Sequence, residues 1–252
     1  MVMLVDSNKL ARFSNLKLAI STKRFGNLSF QHFYLNEEDT KQNRSQFFSA
    51  LKIKANQVVN IALGHTARIF WVQKKDGGKG ALNKSSLISF YDGLITVEKN
   101  LFLMITIADC FPVFYFDSQK ECIGLTHSGW RGILACINRR MVADFKKRVK
   151  SNPKDILVYI GPGIQRCHFE VEKDVFNQFH SAFGEKIAFE KNNYFWVDLS
   201  EAIKVQLIES GIKEENIEQS AYCTYCEEKL FSSYRRDKKN YIAQGAIIGL
   251  ID

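Results

Sequence analysis

The chain has 252 residues, 46% of them hydrophobic, which is enough for a full core in one sizeable domain. No apolar run approaches the roughly 18 residues that a membrane span needs, and the apolar start at residues 1–5 is cut off by Asp6 before a signal-peptide core can form. A soluble, cytoplasmic protein is therefore expected, and its six unevenly spaced cysteines read as reduced rather than as a disulfide framework. The net charge of +8 gathers at Arg139, Arg140, Lys146, Lys147, Arg148 and Lys150. No nucleic-acid module or aromatic-basic ladder accompanies it, so it reads as a solvated helix face and disfavours a nucleic-acid partner.

Taken in order, residues 1–13 are expected to form a loose N-terminal segment. Leu16, Leu18 and Ile20 alternate with Lys17 and Ala19 as a half-buried strand, leading into a donor-rich loop over residues 21–29. With Asp39 as its N-cap, a helix is predicted to carry Phe47, Phe48, Leu51 and Ile53 on one face, with Asn43 and Arg44 in its first turns. Residues 58–62 and 68–72 read as strands around His65. Residues 74–83, with Gly77, Gly78 and Gly80 among lysines, predict a mobile loop able to close over a site. Asp92-Gly93 makes a turn before another strand at 94–97.

The central stretch, IADCFPVFYFDSQKECIGLTHSGWRG at residues 107–132, carries most of the chemistry. Apolar runs at 101–107, 112–116 and 122–126 predict three successive strands with Cys110 and His127 at their exits, where a rigid sheet displays reachable side chains. Leu134, Ile137, Met141, Phe145 and Val149 then step by three or four as one amphipathic helix beginning after Gly132. Backbone N–H groups at that helix start, with Arg131 beside them, offer an anion pocket next to His127, or else a plain glycine turn. A strand at 156–160 runs into the Gly161-Pro162-Gly163 turn. A helix around 175–183, a strand at 194–199 and a helix at 202–210 stopped by Gly211 follow.

His65, Cys110 and His127 offer two imidazoles and a thiol, ligand types that zinc favours, and three ligands leave a position open for substrate or water. The same residues permit a rival, with Cys110 as nucleophile, His127 as its base, and Asp109 or another carboxylate orienting the ring. Metal analysis separates the two. Cys223 and Cys226 form a CxxC without a second pair in sequence, so ordinary cysteines are expected there, and His168 beside Cys167 reads as structural. Neither His32 nor His180 has company that suggests chemistry. Arg24, Arg44, Arg131, Arg235 and Arg236 sit near turns or element ends, and planar guanidiniums suit phosphate oxygens.

The segments IADCFPVFYFD, LTHSGWRG, IGPGIQRCHFEV and CTYCEEKLFSSYRRD resemble the signature segments of the laccase-domain family, named for polyphenol oxidases and also described as purine nucleoside phosphorylases. The resemblance runs from about Leu16 to the C-terminus. It implies a single α+β domain of layered mixed β-sheets flanked by helices, and a zinc site with its ligands at His65, Cys110 and His127. It implies phosphorolysis of adenosine, inosine, guanosine and methylthioadenosine, with adenosine deamination as a further activity. Copper-dependent phenol oxidation, the older attribution, suits a chain with only five histidines poorly. Under this resemblance Arg24, Arg131 and Arg235 are candidates for binding phosphate, and Asp109 for shuttling a proton or orienting a ligand. The chain departs from the family pattern at Leu63 and Thr66 around the first histidine. It departs again at Asn27, in place of a second glycine, and around Lys239, Asn240 and Tyr241, where a TGR is usual. The expectation is a zinc-dependent purine nucleoside phosphorylase; a copper phenol oxidase, a Cys110/His127 hydrolase and a non-catalytic basic binding protein are the alternatives.

Overall fold

Apolar runs without polar alternation need burial on both faces, and here they form strands sandwiched between other layers. The computed structural model of the protein describes residues 7–31 and 36–252, so His32 lies outside the described residues. In chain order the strands are β1 (Leu16–Ile20), β2 (Val58–Leu63), β3 (Ile69–Trp71), β4 (Ile88–Tyr91), β5 (Gly93–Thr96), β6 (Phe102–Ile107) and β7 (Phe111–Asp117). They continue with β8 (Cys122–Ser128), β9 (Ile156–Ile160), β10 (Glu170–Val171), β11 (Ala188–Lys191), β12 (Tyr194–Val197), β13 (Ile217–Gln219) and β14 (Gln244–Leu250). The α-helices are α1 (Glu37–Ala50), α2 (Trp130–Leu134), α3 (Ile137–Val149), α4 (Lys173–Phe183), α5 (Leu199–Glu209) and α6 (Tyr234–Asp237).

Among the described residues the strands make three sheets, ordered β1-β14-β6-β2-β4, β13-β9-β7-β8-β5-β3 and β10-β12-β11. The two larger sheets face each other, with Leu103, Ile105 and Ile248 of the first meeting Phe114, Ile123 and Leu125 of the second. Helix α1 covers the outer face of the first sheet through Phe47 and Phe48. Helices α3, α4 and α5 cover the outer face of the second, where Met141, Phe145, Phe179 and Ile203 pack on Val113, Tyr115 and Val158. Alternation along β7 shows why the run is apolar throughout: Val113 and Tyr115 point to one core, Phe114 and Phe116 to the other. This is the expected α+β arrangement of layered mixed sheets, and no helix among the described residues is long and apolar enough to cross a membrane.

Several expectations need correcting. The helix over residues 37–50 is capped by Asn36, whose side chain accepts from the N–H of Glu38, so Asp39 lies inside its first turn and Ile53 beyond its end. The single helix predicted after Gly132 is two, α2 and α3, separated at Cys136, whose left-handed φ of +63° breaks the helical path. Of the segment 1–13, residues 1–6 lie outside the described residues, and residues 7–13 are tied down: Ser7 and Lys9 bond Glu218, Leu10 is buried, and Phe13 packs edge-on against Phe116. The glycine-lysine loop is no lid either. Gly78 N–H donates to the Val58 carbonyl, the Lys79 carbonyl accepts from Asn60, and a Cβ at Gly80 would sit 2.5 Å from the Asn60 carbonyl oxygen. Strand β14, interior to the first sheet, is not among the expected strands.

Arg44 clamps that loop rather than a phosphate. Fully buried over the ring of Phe30, its guanidinium donates to the carbonyls of Leu28, Gly80 and Ala81 and to the side chain of Asn60. Arg44→Leu would leave those buried acceptors without donors, each worth about 1–3 kcal/mol. Urea denaturation is expected to show a loss of several kcal/mol.

Candidate active site

Strand direction decides where the chemistry gathers. Strand β14 is antiparallel to both β1 and β6, and β2 is parallel to β6, so β1, β2 and β6 all end at one edge of the first sheet. From those ends leave the loop carrying Arg24, the turn Gly64-His65 and the connection Asp109-Cys110, while the segment containing Arg235 enters β14 at the same edge. In the second sheet, Phe111 pairs with Ser128 and Pro112 with His127, which sets Cys110 beside the end of β8. Gly93 pairs with Thr126, so Asp92 arrives at the same place from β5. Cys110 thus lies in the connection just before β7, and His127 within β8 rather than beyond its exit.

Asp92 holds the pieces together. Its side chain is buried, one oxygen lies 3.0 Å from Nδ1 of His127, and that oxygen also accepts from the N–H of His65 at 3.1 Å. The other oxygen accepts from Gly64 N–H at 3.2 Å and from both the N–H and the hydroxyl of Thr66, at 2.6 and 2.9 Å. Its backbone carbonyl accepts from the N–H of His127 at 2.7 Å. Engaging Nδ1 leaves Nε2 of His127 for a metal, the usual carboxylate–histidine pairing of zinc sites. The two imidazoles stand edge to face with centroids 5.3 Å apart, and ligand atoms of His65, Asp92 and His127 all lie within 4.8 Å of one another.

The Cys110 sulfur lies close enough to His127 to raise its pKa. A Cβ at residue 129 would sit 2.9 Å from Cys110 Sγ and 3.5 Å from Cε1 of His127, so Gly129 is what lets thiol and imidazole approach. Among the described residues the close group of His65, Asp92 and His127 leaves out Cys110, which stands beside His127; two imidazoles and a neighbouring thiol are ligand types that suit zinc.

The electrostatics agree with strong coupling. Burial disfavours the charged form of His127, but the Cys110 sulfur and the Asp92 carboxylate outweigh it and push the pKa up to about 10. Burial would also raise the Asp92 carboxyl, yet the bonds from His127 and Thr66 hold it below the usual carboxylate range. His65 stands at the rim, and its pKa is lowered by partial desolvation and by the positive charges of His127 and Arg131.

Asp109 is engaged by three donors of its own. Its oxygens accept from the Thr224 hydroxyl at 2.6 Å, the Ser233 hydroxyl at 3.0 Å and the Arg235 N–H at 2.7 Å, so the carboxylate that orients His127 is Asp92. Arg235 turns its guanidinium to the carbonyls of Glu170, at 2.8 Å, and His168. Arg236 donates to the carbonyls of Thr224, Tyr225 and Phe231. Neither these two nor Arg44 is free to clamp an anion with its full fork. Arg131 is exposed, stacks on Trp130 at 4.1 Å and lies close enough to His65 to affect its charge; Arg24 is exposed on the short 3₁₀ helix Lys23–Phe25. A cavity of about 530 Å³ opens elsewhere, lined by residues including Arg166, Phe189, Tyr194 and Trp196 and by none of the site residues.

Residues 11–251 match the family described as multi-copper polyphenol oxidoreductase laccase. The chain belongs to this family. Within it, the purine nucleoside phosphorylase YlmD of Bacillus subtilis is 31% identical over 245 residues, covering 96% of this chain and 88% of that protein. The mouse purine nucleoside phosphorylase LACC1 is 26% identical, over 83% of this chain and 47% of its own length. The crystal structure of YlmD from Geobacillus stearothermophilus superposes with a TM-score of 0.91 at 30% identity, covering 95% of this chain and 93% of that one. Two family departures have local explanations. The hydroxyl of Thr66 adds a donor to Asp92, and Asn27 is buried with its side chain bonded to Ser29, Thr40 and Ala243.

Asp92 was absent from the sequence-based site because an aspartate before glycine reads as a turn; only its place beside the strand carrying His127 reveals it. Asp92→Asn is expected to lower zinc affinity by about 10–100-fold, measured by chelator competition on folded protein. The pH dependence follows from His127. Its proton stabilises the metal-free fold below pH 6.5, and that contribution is lost as pH rises through about 10. A metal must displace this proton, so zinc affinity should climb with pH up to about 10, by roughly tenfold per unit from this group alone. Chelator competition across that range checks the slope.

Proposed function

We propose that the protein is a zinc-dependent purine nucleoside phosphorylase, with His65, Cys110 and His127 holding the ion. The observation that carries this reading is Asp92, which orients one imidazole and pins the loop of the other beside Cys110 at one sheet edge. The names borne by the relatives support the choice of phosphorolysis. When bound, zinc would supply Lewis acidity at that edge.

The chain's own groups account for the rest. In phosphorolysis a phosphate oxygen bonds to the anomeric carbon as the bond from that carbon to the purine nitrogen breaks, giving ribose 1-phosphate and free base. A dianion must be held close to the sugar while negative charge develops on the base. Arg131, exposed beside His65, is the best-placed cation, with Arg24 as a second from the exit of β1. Arg235 acts as a positioning residue: its N–H fixes Asp109, and its guanidinium holds the wall at residues 168–170. Asp109, next to Cys110 in sequence and held by three donors, fixes the backbone from which the thiol projects. The proposal extends to adenosine deamination, in which a water oxygen bonds to the purine C6 as the bond from C6 to the exocyclic amine breaks, giving inosine and ammonia.

The chemistry also argues against the other readings. His127 contacts both Asp92 and Cys110, an arrangement that a cysteine hydrolase could share, but a second imidazole beside them gives a metal what a hydrolase does not need. A multicopper oxidase needs histidines for several coppers, and the chain has five in all.

Incubation with inosine is expected to yield ribose 1-phosphate only when phosphate is present, and adenosine to yield ammonia in its absence. Cys110→Ala should abolish both activities together with zinc at this site; full turnover in that variant would rule out the ligand assignment. Arg131→Ala should raise the KM for phosphate far more than that for inosine, as steady-state kinetics would show.

A further inference from the structure

The CxxC at residues 223–226 has no partner pair in the sequence, yet the fold supplies one. Cys167 and His168, from the segment after the Gly161-Pro162-Gly163 turn, meet Cys223 and Cys226 so that four ligand atoms lie within 4.8 Å of one another. Sγ of Cys167 is 3.7 Å from that of Cys223 and 3.8 Å from that of Cys226. Nδ1 of His168 is 3.2 Å from Cys167 Sγ and 3.3 Å from Cys226 Sγ. With zinc–sulfur bonds near 2.3 Å, the sulfur–sulfur edge of a tetrahedron is about 3.8 Å, and with zinc–nitrogen near 2.0–2.1 Å the mixed edge is about 3.5 Å. The observed separations match the first and lie within a few tenths of an ångström of the second.

From this geometry we infer a second metal site, in which Cys167, His168, Cys223 and Cys226 bind one zinc ion in a closed, four-ligand structural centre. Three cysteines and one histidine are a recognised ligand set for such centres, and four protein ligands leave no position for substrate. The surroundings suit it. The N–H of Gln165 donates to Cys223 Sγ at 3.4 Å, the kind of bond that orients a ligating sulfur. The His168 ring stacks on Tyr225 at 3.9 Å with planes 13° apart, which fixes the direction of Nδ1. The guanidiniums of Arg235 and Arg236, bonded to the carbonyls of His168 and Tyr225, bring positive charge toward a centre that carries a net negative one with three thiolates. A disulfide would use two of the three sulfurs and give no role to the third or to the imidazole.

The ion would cross-link two loops far apart in sequence, already bridged by Gly163 and Cys223. Its effect would reach the candidate active site along a short path. Thr224, next to ligand Cys223, donates to Asp109, which precedes Cys110. Arg235, held by the carbonyl of ligand His168, donates its N–H to the same carboxylate. This inference does not rest on the proposed activity, because its ligands are a separate set.

The test uses full-length protein purified under reducing conditions. A His65→Ala, Cys110→Ala double variant, with the first centre disabled, should still carry one equivalent of zinc by elemental analysis. Cobalt(II) loading of that variant should give an intense sulfur-to-metal charge-transfer band, since all remaining sulfur ligands belong to the second centre. Adding Cys223→Ser or Cys226→Ser should remove both the zinc and the band. A double variant that folds but holds no zinc and shows no cobalt band would overturn the inference. So would an intact mass two hydrogens light with Cys167 linked to Cys223. Protein with both centres intact that carries two equivalents of zinc yet yields no ribose 1-phosphate from inosine and phosphate would count against the proposed activity alone.

Discussion

A buried carboxylate between two loops is the constraint on which this molecule's chemistry depends. Asp92 sits where an ionised group is costly without donors, and it is surrounded by them: three backbone N–H groups, one hydroxyl and one imidazole. Those donors come from the His65 loop and from β8, so satisfying one carboxylate fixes two candidate ligands at once. Hydrogen bonding and metal preorganisation are therefore the same event here.

That constraint works only because the sheets deliver the parts. Parallel β1, β2 and β6 bring three loops to one edge, and the antiparallel pairing of β7 with β8 and of β8 with β5 brings Cys110, His127 and Asp92 into line. A shift of one residue in the β7–β8 register would turn His127 to the opposite face. Alternate side chains of β7 and β8 interlock with a different close-packed core on each face, and that fit opposes such a slip.

Strands with long apolar runs were legible in the sequence, as were Cys110, His127 and His65, because their residue types stand out at the ends of those runs. What escaped was pairing over long separations. Asp92 looks like turn punctuation until β5 lies beside β8, and β14, a short run with two glycines, gains its identity from neighbours β1 and β6. The arginines are open to two readings in sequence for a related reason. A guanidinium near a turn suits phosphate, but it suits orphaned carbonyls equally well, and in Arg44, Arg235 and Arg236 the fold uses it for the latter. Cys167 and His168 likewise had no visible partners at a distance of some 55 residues or more from the CxxC.

Backbone conformation adds a last step. His65 and Asp109 both have left-handed φ, +51° and +78°, in a region that side-chain-bearing residues avoid at a cost of about 1–3 kcal/mol. Each is held there by hydrogen bonds to a carboxylate: His65 by its own N–H to Asp92, and Asp109 by donors from Thr224, Ser233 and Arg235 to its side chain. One strained residue carries a candidate ligand and the other immediately precedes one. A relaxed backbone at either point would swing His65 or Cys110 away from His127, so the strain is local to the residues whose direction matters. The two carboxylates offset it from opposite sides, Asp92 through the loop of β2 and Asp109 through the segment entering β14. The geometry at Cys110 and His65 is thereby set by hydrogen bonds already formed, and a ligand entering the site would meet groups that are in place.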